Sequence, residues 1–232
     1  MYYLLFSVLL VMLPLKTFAQ EKVWIHVEQG IVLYLSPLNS DWEPVTGKDQ
    51  IPERSYITTK SGVKAHIFKE ASAYDVPENA YFFVDDLFER NRLEVIDALV
   101  RIEAEQLPVN PDGADSTKTL GLIYGAPIPQ TSGIEAIPFH EERLNAINWF
   151  LHHNQQSAAL LSIKRTLTKY PRMYLDQNYI ERLLSLYSRF ELYGYLFEES
   201  NRLLMLRTTD TYKETVRAWH NFAQERLREQ GK

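Results

Sequence analysis

Cysteine is absent from the 232 residues. No disulfide framework, thiolate metal site or catalytic thiol is therefore possible, and stability rests on packing alone. Long apolar runs are scarce. The longest, Tyr2 to Leu15, is shorter than the roughly 20 residues of a spanning helix. Excess positive charge is missing too: the formal net charge is −5, which argues against a dedicated nucleic-acid binder. Glycine and proline are few and unevenly placed. Five of eleven prolines (108, 111, 127, 129, 138) and four of nine glycines (113, 121, 125, 133) fall within 108–138. The whole chain is 45% hydrophobic and 24% charged, an ordinary globular composition.

The first run has the features of an export signal. The apolar stretch ends at Pro14-Leu15, and Lys16-Thr-Phe-Ala-Gln20 follows as a small-residue cleavage site. Cleavage after Ala19 places the protein in the periplasm or outside the cell. It leaves no membrane span and a mature charge of −6. A buried N-terminal strand and an uncleaved anchor are the alternatives. The breakers at 108–138 exclude a regular helix or central strand there. They read as a linker with one short apolar piece, Thr119–Tyr124. The expected plan is a signal at 1–19, a β domain with a terminal helix at 20–107, the linker, and a helical domain at 139–232. Charge divides at the same place, −9 over 20–138 and +3 over 139–232. Such asymmetry fits an acidic partner for the second half, or else a solvated surface or complementary packing of the two halves.

Val23, Ile25 and Val27 alternate with polar neighbours, which is strand period. Ile31–Leu35, Ser55–Thr59, Val63–Phe68, Tyr74–Val76 and Tyr81–Val84 supply further short strands. Ser61-Gly62 is expected to close a hairpin between two of them. Strands so short and evenly punctuated predict a small antiparallel barrel or sandwich. From 91 to 106 the period becomes helical, with Leu93, Ile96, Leu99, Val100 and Glu103 on one spacing.

Trp42-Glu-Pro-Val-Thr-Gly47, Ile51 and Tyr56-Ile-Thr-Thr-Lys-Ser-Gly-Val-Lys-Ala-His-Ile-Phe68 carry a resemblance to the periplasmic FecR-type domain, covering about 23–84. The resemblance implies an envelope β domain with Gly47 in a turn between strands. FecR-type regulators add a cytoplasmic segment and a membrane helix; nothing of that kind follows signal cleavage here, so transmembrane signalling is not implied.

Past Pro138 the pattern is helix, short turn, helix, proline. Leu144, Ile147, Trp149, Phe150 and Leu151 form one apolar helix. Ser157 is the expected N-cap of a second at 158–169, which Tyr170-Pro171 stops. This resembles a tetratricopeptide repeat, with Phe150, Ala159 and Ile163 at its packing positions. A second unit places Ile180, Leu183, Leu184 and Tyr187 on one helix, Gly194 in the turn, and Leu196, Phe197, Leu203 and Leu204 on the next. A last helix starts at Thr211, with Thr211-x-x-Glu214 as its capping box. The expected fold class is α+β: a small antiparallel β barrel or sandwich, a linker, then an all-α hairpin array.

Chemical motifs are sparse. Ser61-x-x-Lys64 has the spacing of penicillin-binding enzymes but lies in a turn, without the partner motifs. His152-His153 point about 100° apart on a helix and rarely share an ion. Asp85, Asp86 and Glu89 lack the glycine spacing of a calcium loop and read as a helix N-terminal acidic cluster. G-x-S-x-G, G-x-G-x-x-G and P-loop motifs are absent, and no cofactor or metal is implied. The helical half holds ten arginines and a tyrosine cluster. Tyr179, Arg182, Tyr187, Arg189 and Tyr193 are the candidate partner-binding residues, since Tyr and Arg favour interfaces. The alternative is that these tyrosines pack between helices with wet hydroxyls. The function expected is a non-enzymatic, exported envelope protein acting as a binding or adaptor module for a protein partner. The competing expectation is a cell-wall or glycan-acting enzyme, or its glycan-binding module. N-terminal sequencing of the exported chain is expected to begin at Gln20; a start at Met1 would remove the leader.

Overall fold

The computed structural model describes residues 22–105, 137–206 and 209–231. The expected signal, nearly all of the expected linker and the apolar piece at 119–124 lie outside the described residues. The architecture is α+β, with no closed barrel among the described residues.

Eight strands form two four-stranded antiparallel sheets. They are β1 Lys22–Gln29, β2 Val32–Leu35, β3 Glu43–Pro44, β4 Lys48–Pro52, β5 Tyr56–Thr59, β6 Lys64–Lys69, β7 Ser72–Asp75 and β8 Tyr81–Phe83. One sheet has the order β4-β1-β6-β7, the other β3-β2-β5-β8. Alternation decides the faces. Val23, Ile25, Ile51, Ala65 and Ile67 are buried from the first sheet, and Val32, Ile57 and Phe82 from the second, in one apolar cluster. Each such side chain contributes about 1.5–3 kcal/mol on burial.

The expected hairpin at Ser61-Gly62 is not one. β5 pairs with β2 and β8, while β6 pairs with β1 and β7. The turn carries the chain from one sheet to the other. Gly62 takes a left-handed φ of 73°, and Glu78 accepts its N–H at 2.7 Å. A second crossing occurs at Gly30 (φ 90°), where an added Cβ would lie 2.8 Å from Val63 Cγ2. Gly47 does lie in a turn between strands, β3 and β4.

Helix α1 (Arg92–Ala104) starts at a capping box. Asn91 accepts from the N–H groups of Leu93 and Glu94, and Glu94 returns a bond to the Asn91 N–H. Its buried face is Val95, Leu99 and Ile102 rather than the expected stripe; Leu93 and Val100 are exposed. Five more α-helices follow among the described residues: α2 His140–His152, α3 Gln156–Lys169, α4 Gln177–Arg189, α5 Tyr193–Leu204 and α6 Asp210–Gln230, with a 3-10 turn at Pro171–Leu175. Three expected boundaries shift. Gln155, not Ser157, precedes α3, and Ser157 is buried inside it. The α4–α5 turn uses Glu191 at positive φ, and Gly194 lies in the first turn of α5. Thr209 caps α6 by accepting from the Tyr212 N–H. Phe150, Ala159 and Ile163 are all buried.

The two halves share one core. α3 packs on α1, on α2 and on the 3-10 turn Val84–Leu87, and α2 packs on β8. The charge asymmetry resolves into ion pairs across the boundary. Lys164 of α3 donates to Glu199 of α5 (2.9 Å) and lies 3.0 Å from Glu103 of α1. Burial disfavours the Lys164 ammonium, but Glu199, two tyrosines and Glu103 outweigh it and hold its pKa well above the ordinary value. Burial likewise opposes the Glu199 carboxylate, yet Lys164 pulls its pKa below 4.5.

A depressed carboxylate pKa stabilises the fold above the unfolded value, and that stability is lost as pH falls through the folded value. The thermal midpoint is therefore expected to fall below about pH 4.5. In Glu199→Gln that acid limb should be shallower, and the variant should lose about 3 kcal/mol at neutral pH because Lys164 keeps only Glu103. Thermal unfolding from pH 3 to 8 checks both; an unchanged acid limb would exclude Glu199 as its source.

Candidate functional site

A cleft of about 1540 Å³ opens between the edge of the sandwich and α1. Ser72 and Tyr74 of β7 line one side, and Asp97, Ala98 and Arg101 of α1 the other. The floor is aromatic. Tyr56 and Phe83 meet with centroids 5.0 Å apart, and Tyr74 meets Phe88 edge-on at 5.2 Å. Partial burial pushes the Tyr56 hydroxyl up.

The cations of this cleft are paired in the free chain. Arg54 binds Glu105 (2.9 Å) and Arg90 binds Asp85 (2.7 Å), while Lys69 binds Glu53 and Arg101 binds Asp97. Arg165, on α3, is held hardest. Its Nε and Nη2 donate as a fork to the two oxygens of buried Asp86 (3.1 and 3.0 Å), and Nη1 donates to Glu105 (3.1 Å). Its guanidinium also lies 4.0 Å over the Phe83 ring. Burial opposes that charge, and Asp86 more than offsets it, so the pKa is raised. The exposed pairs are each worth little, so they can exchange partners with an incoming chain. Glu70 and Glu89 make no ion pair among the described residues and leave the cleft mildly acidic.

Among the described residues β7 is an edge strand of its sheet, with no strand on its outer side. Val76 donates its N–H to Ala65 O (3.0 Å). Antiparallel alternation then bonds Tyr74 and Ser72 to β6 and turns the N–H and C=O groups of Ala73 and Asp75 outward. Both residues are exposed. An unpaired backbone row beside a cleft is a template for a further strand.

The five residues chosen from sequence do not form one groove. Tyr179 and Tyr187 are 0% exposed and belong to the core, a correction to the expected Tyr/Arg surface. Tyr187 packs on Tyr195 (5.8 Å). Tyr193 is half-buried against Phe222 (6.0 Å), and Arg189 is exposed at the end of α4. Tyr179 and Arg182 do come together, one turn apart on α4. Their spacing with Leu183, Leu184 and Leu186 already signalled a buried tyrosine face. Ser61 lies exposed in the sheet-crossing turn, and Lys64 starts β6. His153 stacks on Trp149 (3.8 Å) at the end of α2, close to its carbonyl. Of the expected acidic cluster, Asp85 and Asp86 lie in the 3-10 turn Val84–Leu87 and are ion-paired to Arg90 and Arg165, while Glu89 lies beyond it. A strand was expected at Tyr74–Val76, but its edge position was missed because strand pairing, not local pattern, decides it.

Asp86→Ala is expected to strand the Arg165 guanidinium and cost about 3 kcal/mol, or roughly 6–12 °C of thermal midpoint for a chain of this size. Pairing Asp86→Leu with Arg165→Met should recover most of that. Calorimetry on the three variants decides it, and a loss in Asp86→Ala within 0.5 kcal/mol, the ordinary surface range, would contradict the buried pairing.

No family model matches the chain, and no curated protein or solved structure matches it either.

Proposed function

We propose that this chain is a non-enzymatic, exported envelope protein that binds an extended segment of a partner polypeptide. The segment adds a strand to β7, and its alternate side chains enter the cleft toward α1. The observation that carries this is the free edge of Ala73 and Asp75 beside an aromatic-floored, charge-lined cleft. Backbone bonds supply affinity in such a mode, and the alternating pockets supply specificity. The export signal puts the encounter in the envelope, and the resemblances to a FecR-type domain and to tetratricopeptide repeats agree with a binding role.

A glycan-binding role has one observation in its favour. Trp24 is 46% exposed on the outer face of the first sheet, opposite Phe68, with Lys48 over its ring.

The test is site-specific photocrosslinking in the native envelope at Ala73, at Ala98, at Gln50 beside Trp24, and at Ala218 on the exposed face of α6. The same polypeptide adduct is expected from Ala73 and Ala98 and none from Ala218. Ala73→Pro removes an outward N–H without touching the β6 ladder, so it should abolish the Ala98 adduct while the fold persists. Cell-wall adducts from Gln50 alone would favour the glycan role. Equal labelling at Ala218, or none at Ala73, would sink the strand-addition role.

A further inference from the structure

A second place in the molecule, sharing no residue with the cleft, carries donors without acceptors. Helices α2 and α4 each present a pair one turn apart: His140 and Arg143 on α2, Tyr179 and Arg182 on α4. The His140 and Tyr179 rings stack with centroids 6.1 Å apart, which brings the two pairs together. Arg143 is 5% exposed, its guanidinium 4.0 Å over the Tyr81 ring and 5.1 Å over the Tyr170 ring. It donates from Nε to Pro138 O and makes no ion pair among the described residues. Its Nη2 is buried without a hydrogen-bond partner among the described residues. So are Arg182 Nη1, the Tyr179 hydroxyl and His140 Nδ1.

Four unpartnered polar atoms around one ring stack are costly, since each buried donor left unmade carries its desolvation penalty. The Arg143 and Arg182 nitrogens can only donate, while the phenol and imidazole can do either, so it is the two guanidinium groups that are short of an acceptor among the described residues. Burial pushes the Tyr179 hydroxyl up, with Arg143 and Arg182 opposing and Asp176 adding to it. Asp176 is the one carboxylate acting there, and it accepts from the Asn178 N–H at the start of α4 (2.9 Å). Arg143 also borders a cavity of about 10 Å³ shared with Ser162 and Arg165. That space admits one water and no larger anion.

We propose that His140, Arg143, Tyr179 and Arg182 form a binding site for an oxyanion, a carboxylate or a phosphate group, between α2 and α4. One unpartnered guanidinium nitrogen from each arginine suits the oxygens of such a group, and the phenol and imidazole can each add a donor.

The test titrates the full mature chain with inorganic phosphate, sodium acetate and blocked tetraglutamate, following amide shifts by NMR against sodium chloride at matched ionic strength. Saturable shifts confined to α2 and α4 are expected. Arg143→Gln should weaken them at least about tenfold, the scale of one lost charge-assisted bond. Arg182→Gln, at a half-buried position, should do the same while leaving the unliganded thermal midpoint unchanged, and so covers the case in which Arg143→Gln fails to fold. Tightest binding by tetraglutamate makes a partner's carboxylate the source; tightest binding by phosphate makes it a phosphoryl group. The site is overturned by shifts that match chloride, or by shifts that survive Arg182→Gln.

Discussion

Two adjacent cations in the most buried helix fix how the rest of the molecule is arranged. Helix α3 buries ten of its residues, and Lys164 and Arg165 are consecutive within it. Consecutive helical side chains diverge by about 100°. Lys164 therefore reaches Glu103 and Glu199, while Arg165 reaches Asp86 and Glu105. A rotation of α3 would carry one of these charges into apolar packing, where an unpaired ion is prohibitive. Buried ion pairs add little net stability over apolar contacts of the same volume. Here they set direction: the β half, α1 and α5 can each meet α3 in one orientation only.

The cleft follows from that clamp. With Val95, Leu99 and Ile102 turned into the core and Glu103 and Glu105 held by α3, the Asp97–Arg101 side of α1 is left facing β7. The helix cannot close the end of the sandwich without giving up those contacts. Among the described residues the outer edge of β7 stays free for the same reason, and its four residues limit pairing to a short added segment.

The sequence was legible where one element's own pattern decided its fate. The alternation of Val23 and Ile25, the stop at Pro171 and the apolar spacing of α4 and α6 all correspond to elements found. It was not legible where partners decide. Ser61-Gly62 has hairpin chemistry, but the flanking strands pair with β1 and β2, far back in the chain, so local turn signals gave the wrong partner. Leu93 and Val100 share a period with Leu99, but α1 presents Val95 and Ile102 because Glu103 must meet Lys164. The tyrosines of the helical half were legible as packing or binding residues and nothing finer. Burial separates them: Tyr187 beside the Lys164 network, Tyr179 beside two arginines.

That separation ties the core to the surface. Three cations of the helical half are withdrawn from solvent: Lys164 and Arg143 are buried, and the Arg165 side chain is 11% exposed. Lys164 and Arg165 meet two carboxylates each, and their cost is offset inside the molecule. Arg143 meets two aromatic faces and one carbonyl, and ends on an unpartnered nitrogen beside Arg182, Tyr179 and His140. Ring faces soften a cation's desolvation but supply no oxygen. A chain that pairs its other buried cations so fully has left this one short of an acceptor at a place that half-buried Arg182 opens toward solvent. The same electrostatic rule that locks α3 therefore leaves α2 and α4 open to an oxyanion from outside.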